Sequence, residues 1–291
     1  MRFLISGSGG LVGRALVQVC QESADDFVAY DHSQLDISDT HQVEDAISTI
    51  RPDVVINCAA WTNVDGCEND SKYAFAANAE GPENLARSSR KVNARLITIS
   101  TDYVFDGFKE GFYTQRDGPN PLSVYGKSKL AGEQRAQQAN ERTVVVRTGF
   151  VFGPDGPNFL SSVIKNAVRG LKIKAISDAY GTPTYARHLA QRLRELADVD
   201  EPGIFHVVNT GEGASYLDFT NEALMLSGLE HYEVESITNA SLNRPAPRPA
   251  NSRLKCLKTE EVGLAPMPSW RTGLEEFVSG ELKFQTRGGT P

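Results

Sequence analysis

Three glycines spaced by threes, Gly7, Gly10 and Gly13, stand where an apolar run stops and a helical pattern begins. Phe3-Leu4-Ile5 before them reads as a strand, and Leu11, Val12, Ala15, Leu16 and Val19 after them fall on one helix face. Glycine at these positions permits a tight turn, close approach of backbone to a diphosphate and close packing of helix on strand. The helix that follows presents unbonded N–H groups to an anion. A strand, a glycine turn and a helix in that order predict a dinucleotide-binding βαβ unit at the start of the chain.

The rest of the chain alternates in the same way. Phe27-Val28-Ala29-Tyr30 reads as a second strand, with Asp31 at its end, roughly twenty residues beyond the glycines, where a carboxylate meets an adenosine ribose and favours NADH over NADPH. A turn aspartate is the alternative, and Arg14 just after Gly13 could meet a 2′-phosphate, so both cofactors stay open. Val43, Ala46, Ile47 and Ile50 mark a helix that Arg51-Pro52 ends. Val54-Val55-Ile56 is short and wholly apolar, as for a central parallel strand buried on both faces. It delivers the small residues from Asn57 to Ala60, where a flat cofactor can approach, and Trp61, either a core aromatic or a pocket wall. A helix from Tyr73 to about Arg90 carries Asn78 and Asn84 in structural roles. Leu96 to Ser100 is the fourth strand, and Thr101 follows at its carboxyl end, where open α/β sheets bind ligands. Thr101 can bond a substrate carbonyl there or cap a turn.

Ser123-Val124-Tyr125-Gly126-Lys127-Ser128-Lys129 then contains Tyr-x-x-x-Lys on a plausible helix. Residues four apart share a face, so the Tyr125 phenol and the Lys129 ammonium point into one space, and a fixed cation lowers a phenol's pKa. A phenol so tuned gives or takes a proton beside a hydride donor, as ketone reduction requires.

Composition excludes several classes of function. The chain has 291 residues, 40% hydrophobic and 23% charged, and a net charge of −7 with no basic cluster argues against nucleic acid or an anionic membrane as partner. Cys20, Cys58, Cys67 and Cys256 show no C-x-x-C spacing and read as reduced thiols. The histidines show no metal-ligand spacing. The N-terminal apolar run is too short for a signal peptide, and no stretch of ~18 apolar residues occurs. A cytoplasmic protein is expected.

These segments together resemble the extended short-chain dehydrogenases/reductases, and within them the dTDP-4-dehydrorhamnose reductase family. The resemblance rests on Gly7-x-x-Gly10-x-x-Gly13, Ala59-Ala60-x-Thr62-x-Val64-Asp65, Ser100-Thr101-Asp102-Tyr103-Val104-Phe105-Asp106-Gly107 and Val124-Tyr125-Gly126-x-Ser128-Lys129-x-x-Gly132-Glu133. Arg147-Thr148, Gly181-x-Pro183-Thr184 and Pro247-Arg248-Pro249-x-Asn251-Ser252-Arg253-Leu254 extend it to about residue 280. It implies a Rossmann-like doubly wound parallel sheet with a smaller C-terminal substrate-binding lobe. Residues 1–149 would bind NAD(P), with about 185–210 returning to the sheet, and residues 150–291 would mainly bind substrate.

The implied reaction is reduction of the C4 ketone of dTDP-4-dehydro-β-L-rhamnose by NADPH or NADH. Tyr125 would be the proton donor, Lys129 would lower its pKa and hold the nicotinamide ribose, and Thr101 would orient the ketone. Gly7, Gly10, Leu11, Val12 and Gly13 would face the diphosphate; Asp31, Asp36 and Ile37 the adenosine; Ala60, Trp61 and Thr62 the cofactor groove. Asp102, Tyr103 and Phe150 would meet the sugar, with Arg248 and Asn251 adding donors to the nucleotide. The partner implied is a nucleotide sugar, with no nucleic acid, no membrane, and a homodimer admitted.

Two departures stand out. Phe150 replaces a tryptophan of family members and lacks the indole donor. Ala15 occupies the first-helix position of a glutamate that binds Mg²⁺ at a dimer contact in some members, so no such metal is expected.

Three alternatives stand beside this reading, the third of a different class. A 4,6-dehydratase needs Thr-Asp-Glu, where this chain has Thr101-Asp102-Tyr103. A reductase for another deoxyhexose differs only in sugar pose. A non-catalytic subunit, like the regulatory subunit of methionine adenosyltransferase, would not require the retained Thr101, Tyr125 and Lys129. Beyond the reactive segments, a helix from Asn158 to Val168, an extended Ile173–Ile176, a substrate-side loop at 177–184, core residues Leu189, Leu193, Leu196 and Ala197, and a strand over 204–208 carrying a packed His206 are expected. Ser215-x-x-Asp218 reads as a capping box, Arg244 to Pro249 as a diphosphate site or a surface loop, and residues 285–291 as a disordered tail.

Overall fold

The computed structural model describes residues 1–154, 156 and 158–287, the last seven by backbone alone. In its first half, β1 (Arg2–Ser6), α1 (Leu11–Glu22), β2 (Asp26–Tyr30), α2 (Thr40–Ile50) and β3 (Val54–Asn57) alternate. They are followed by α3 (Val64–Asn69), α4 (Ser71–Phe75), α5 (Gly81–Lys91), β4 (Arg95–Thr101), α6 (Val124–Ala139) and β5 (Thr143–Thr148). The second half holds β6 (Val151–Phe152), α7 (Phe159–Val168), β7 (Ile173–Ile176), β8 (Tyr180–Gly181), β9 (Thr184–Tyr185) and α8 (Ala186–Leu196). Then come β10 (Gly203–His206), β11 (Ala214–Ser215), α9 (Tyr216–Leu226), β12 (Val234–Ile237), α10 (Lys258–Glu261) and α11 (Trp270–Arg287).

Six strands pair in the order β2-β1-β3-β4-β5-β10, each neighbouring pair parallel. Phe3 faces Phe27 on one side and Val54 on the other, which fixes β1 between β2 and β3. Successive residues of a strand point to opposite faces. Phe3 and Ile5 accordingly pack with Leu16, Val19, Leu189 and Leu193 under α1 and α8. Leu4 and Val55 pack with Val43, Ile47, Leu85 and Ala136 under α2, α5 and α6. Both faces are covered, the condition under which an all-parallel sheet is stable. The chain reverses direction across the sheet between β1 and β3, and that switch point opens a crevice at the carboxyl ends of the strands.

Local signals place the ends of these elements. Asp39 caps α2 by accepting the backbone N–H of His41 and Gln42, and Arg51 closes it with φ of 48° ahead of Pro52. Ser215 and Asp218 form the reciprocal capping box at α9. The helix read from Tyr73 to Arg90 is not uniform: α4 and α5 are joined by a π turn over Ala76–Glu80. Gln285 to Arg287 continue α11 as helix, contrary to the expected disorder, and residues 288–291 lie outside the described residues.

After β5 the chain builds short paired strands, β6 with β9, β8 with β11 and β7 with β12, around a second apolar cluster. Phe152, Tyr185, Phe219, Trp270 and Phe277 form it, seated over the rim of the sheet. Among the described residues no helix is long and apolar enough to cross a membrane.

Candidate active site

The crevice at the switch point continues into a cleft of about 560 Å³ between the sheet rim and the second cluster. At its floor the Gly10 N–H donates to the Gly7 carbonyl at 3.1 Å, and Gly7 turns at φ of 73°. A Cβ on Gly7 would stand 2.5 Å from the Ala59 nitrogen, and one on Gly13 would stand 2.1 Å from the Gly7 oxygen. Only glycine leaves the backbone this close. Gly10 caps α1 without a side chain, so the first-turn N–H groups face the cleft that Leu11 and Val12 line. This cradle fits a dinucleotide diphosphate.

Gly7, Gly10, Asp31, Asp36, Ile37, Ala60 and Trp61 line an adjoining groove. The Asp31 Oδ1 accepts the N–H and hydroxyl of Ser33 at 2.8 and 2.7 Å, and those bonds hold its carboxyl below its ordinary pKa. The Asp36 Oδ1 accepts the same pair from Ser38. Trp61 forms a wall of the groove, edge-on to Tyr73 at 4.8 Å. Thr62 lines the cleft rather than the groove. Arg14 folds back over the glycine turn, its Nε donating to the Gly9 carbonyl at 2.8 Å.

Thr101, Tyr125 and Lys129 line the same cleft as the glycine turn. Ser123 starts α6 by accepting the Gly126 N–H, and two glycines dock the helix. A Cβ on Gly126 would lie 2.3 Å from the Tyr103 carbonyl oxygen and one on Gly132 would lie 2.1 Å from that of Asn78. Asn78, on the π turn, ties the groove to this helix: its Oδ1 accepts the Trp61 N–H, and its Nδ2 donates to the Trp61 carbonyl and to Ser128.

The electrostatics differ from the expectation that Lys129 lowers the Tyr125 pKa. Burial pushes the Tyr125 phenol well above its ordinary value, against a smaller lowering from its hydrogen bond with Thr101. The Lys129 ammonium donates instead to the Ile99 carbonyl at 2.7 Å, and burial pulls it down to about 8. In this geometry the cation is drawn to a backbone acceptor and the phenol is held neutral, the form that donates a proton.

Asp102 is buried beside them, its Oδ1 accepting from Thr101 at 3.0 Å, and desolvation raises its carboxyl to about 6. Tyr103 lines the cleft. Phe150 sits at φ of 52°, its ring 4.0 Å from that of Tyr216 and pressed on Gly181. Arg248 also lines the cleft, with its fork on the Asp65 carboxylate at 3.0 and 2.8 Å. Asn251 does not belong to the site. Its amide donates to the Lys109 and Gly111 carbonyls at 2.6 and 2.7 Å and accepts from Arg253, so its polar atoms are committed to holding a loop.

Tyr216 and Phe159 complete the aromatic wall, 4.9 Å apart edge-on, and escaped sequence reasoning because the capping box around Tyr216 signals a helix start and not a binding site. His206 is a packed strand residue as read, its Nδ1 facing the Tyr113 and Lys255 carbonyls. Among the described residues no group of three or more His, Cys, Asp or Glu side chains converges on a metal position.

A Rossmann sheet with a glycine turn at its switch point, facing a Thr, Tyr and Lys constellation, defines the class of the extended short-chain dehydrogenases/reductases. Residues 1–282 match the family model described as RmlD substrate binding domain. A dTDP-4-dehydrorhamnose reductase of Mycolicibacterium smegmatis is 37% identical over 100% of this chain and 89% of its own. A Streptomyces antibioticus protein described as a probable dTDP-4,6-dihydroxy-2-methyloxan-3-one 4-ketoreductase is also 37% identical, over 95% of this chain and 94% of its own. The crystal structure of dTDP-4-dehydrorhamnose reductase from Bacillus anthracis in complex with NADP superposes with a TM-score of 0.92 at 33% identity, covering 96% of this chain and 99% of that one. The chain belongs to the dTDP-4-dehydrorhamnose reductase family.

Proposed function

We propose that this protein reduces the C4 ketone of dTDP-4-dehydro-β-L-rhamnose to dTDP-β-L-rhamnose with a reduced pyridine dinucleotide. The observation that carries this reading is the placement of Thr101, Tyr125 and Lys129 on one cleft with Gly10, Leu11 and Val12. Bound there, the cofactor supplies a hydride to C4. Gly7 and Gly13 let the backbone close on its diphosphate, Asp31, Asp36 and Ile37 border its adenosine, and Ala60, Trp61 and Thr62 hold its flat portion. Thr101 orients the ketone, and Tyr125 gives its phenolic proton to the carbonyl oxygen as the C–H bond forms. Lys129, released from the Ile99 carbonyl, holds the nicotinamide ribose. Asp102, Tyr103 and Phe150 meet the sugar, with Arg248 toward the diphosphate. Residues 1–149 serve the nucleotide cofactor and 150–291 mainly the substrate. The partner is a nucleotide sugar, the compartment cytoplasmic and the assembly a homodimer, which sedimentation checks.

A reductase for another dTDP-4-keto-6-deoxyhexose is the second reading, favoured by the equal identity of the Streptomyces antibioticus relative. Consumption of NADH or NADPH by the purified chain with dTDP-4-dehydrorhamnose, and the C4 configuration of the product by NMR, separate the two. Tyr125→Phe, which keeps the ring and removes the proton, should cut turnover by about 10²-fold or more while cofactor binding stays. Turnover close to the parent's in that variant sinks the assignment.

A further inference from the structure

The hydrogen bonds at Thr101 lead beyond this reading, on which the inference rests. A hydroxyl has one proton to give and two lone pairs to accept with. The Thr101 Oγ1 gives its proton to the Asp102 Oδ1 at 3.0 Å, accepts the Tyr103 backbone N–H at 3.1 Å and is hydrogen-bonded to the Tyr125 phenol. Its one proton points at a carboxylate rather than at a ketone, and the Tyr103 N–H takes one of its two lone pairs. A protonated Asp102 donates to the other lone pair and frees the Thr101 proton.

The site is built around that carboxyl. A Cβ on Gly149 would stand 2.3 Å from the Asp102 Cγ, so only glycine leaves it room, and Ser252 hydrogen-bonds the carboxyl. The Asp102 charge also acts on the phenols of Tyr103 on its own loop, Tyr125 on α6 and Tyr216 on α9. The charge of Arg248 acts on Tyr103, those of Arg244 and Arg248 act on Tyr216 and that of Cys67 on Tyr125, while Lys129 donates to the Ile99 carbonyl. Desolvation is the largest influence on Asp102 and favours its neutral acid.

We propose that protonated Asp102 turns the Thr101 hydroxyl toward the substrate carbonyl and, through Thr101, returns a proton to Tyr125 after the phenol has given its own away. The Tyr125 O–H bond breaks as the alcohol O–H bond forms. The phenolate then takes the Thr101 proton while Thr101 takes the proton of Asp102, which is left as carboxylate. A solvent proton restores the acid between turnovers. The only electrons moved are the hydride pair already delivered to carbon.

The test uses the full chain and a pH series of kcat and KM from about pH 5 to 9 with the 4-keto nucleotide sugar. Asp102→Asn keeps a donor toward Thr101 but cannot release a proton. It is expected to lower kcat by about 10²-fold and to lose the fall in rate that sets in near pH 6. Ser252→Ala, which removes a bond favouring the carboxylate, is expected to move that fall to higher pH. In ¹³C-aspartate-labelled protein free of cofactor, one carboxyl should titrate near 6 and disappear in Asp102→Asn. Parental kcat and pH profile in Asp102→Asn, or an unmoved limb in Ser252→Ala, overturns the proposal. So does a spectrum in which every aspartate titrates in the ordinary range near ~4. Should Asp102→Asn fail to fold, the Ser252→Ala limb and the parent's spectrum decide. A parent that consumes no cofactor overturns the reductase reading itself, whereas an active parent with an indifferent Asp102→Asn removes only the internal acid.

Discussion

Arg147 on β5 forks onto Glu133 on α6, Nε at 2.9 Å and a terminal nitrogen at 2.7 Å, with both side chains almost wholly out of water. Ser100 on β4 donates to the same carboxylate. The two elements that carry Thr101, Tyr125 and Lys129 are thus tied to β5 at one buried point, one turn of α6 beyond Lys129. Removing one partner of such a pair strands a charge, while replacing both with apolar groups does not. Arg147→Met should therefore destabilise the fold by about 3–5 kcal/mol. Arg147→Met with Glu133→Leu should recover most of that loss. Denaturant unfolding measures both, and a double variant no better than the single one contradicts this account.

Lys129 is buried as a cation and its pKa falls to about 8, so the folded chain holds this proton less tightly than the unfolded one. Stability from this group is highest at pH above its ordinary 10.5 and declines as pH falls through about 8. At neutral pH Lys129→Met relieves the buried charge, offset by the lost bond to Ile99, and should stabilise the cofactor-free chain by about 1–3 kcal/mol. It should also abolish most turnover. A lower melting temperature in this variant would refute the assignment of strain to Lys129.

His206 is buried as the neutral ring, with its pKa lowered to about 4 by desolvation first and the Arg147 charge second. Unfolded, the ring takes a proton near its ordinary 6.5. Stability is full above that pH and is lost as pH falls from 6.5 through about 4, by up to ~3 kcal/mol. His206→Gln should flatten this slope in urea midpoints measured across the window. An unchanged slope would mean that carboxylates alone set the acid sensitivity.

Asp31 faces the adenosine groove with its carboxyl held ionised by Ser33. A carboxylate beside a 2′-phosphate is a like-charge contact, which disfavours NADPH. Asp31→Asn should raise kcat/KM for NADPH relative to NADH by about tenfold. Arg14 lies on the Gly9 carbonyl at the same glycine turn. Steady-state kinetics with the two cofactors read this ratio directly, and equal ratios in parent and variant exclude Asp31 as a determinant.

Much of the fold was legible because its signals are local. The spacing of Gly7, Gly10 and Gly13, the apolar run Val54 to Ile56 and the Ser215 to Asp218 capping box each act over a few residues. The π turn at Ala76–Glu80 was not legible, since it exists to bring Asn78 between Trp61 and Ser128, groups far apart in the chain. Asn251 sat inside a recognisable stretch, yet its amide is consumed by the Lys109 and Gly111 carbonyls. Sequence position could not distinguish a ligand donor from a loop clamp.

By itself the sequence determined which residues could do chemistry and on which strand ends and helix they stand, because strand alternation and helical spacing are set by the backbone. Only the tertiary structure decided their charge states. Burial raised the Tyr125 phenol, lowered the Lys129 ammonium that donates to Ile99 and raised the Asp102 carboxyl to about 6, and desolvation depends on every element packed around a group rather than on its neighbours in the chain.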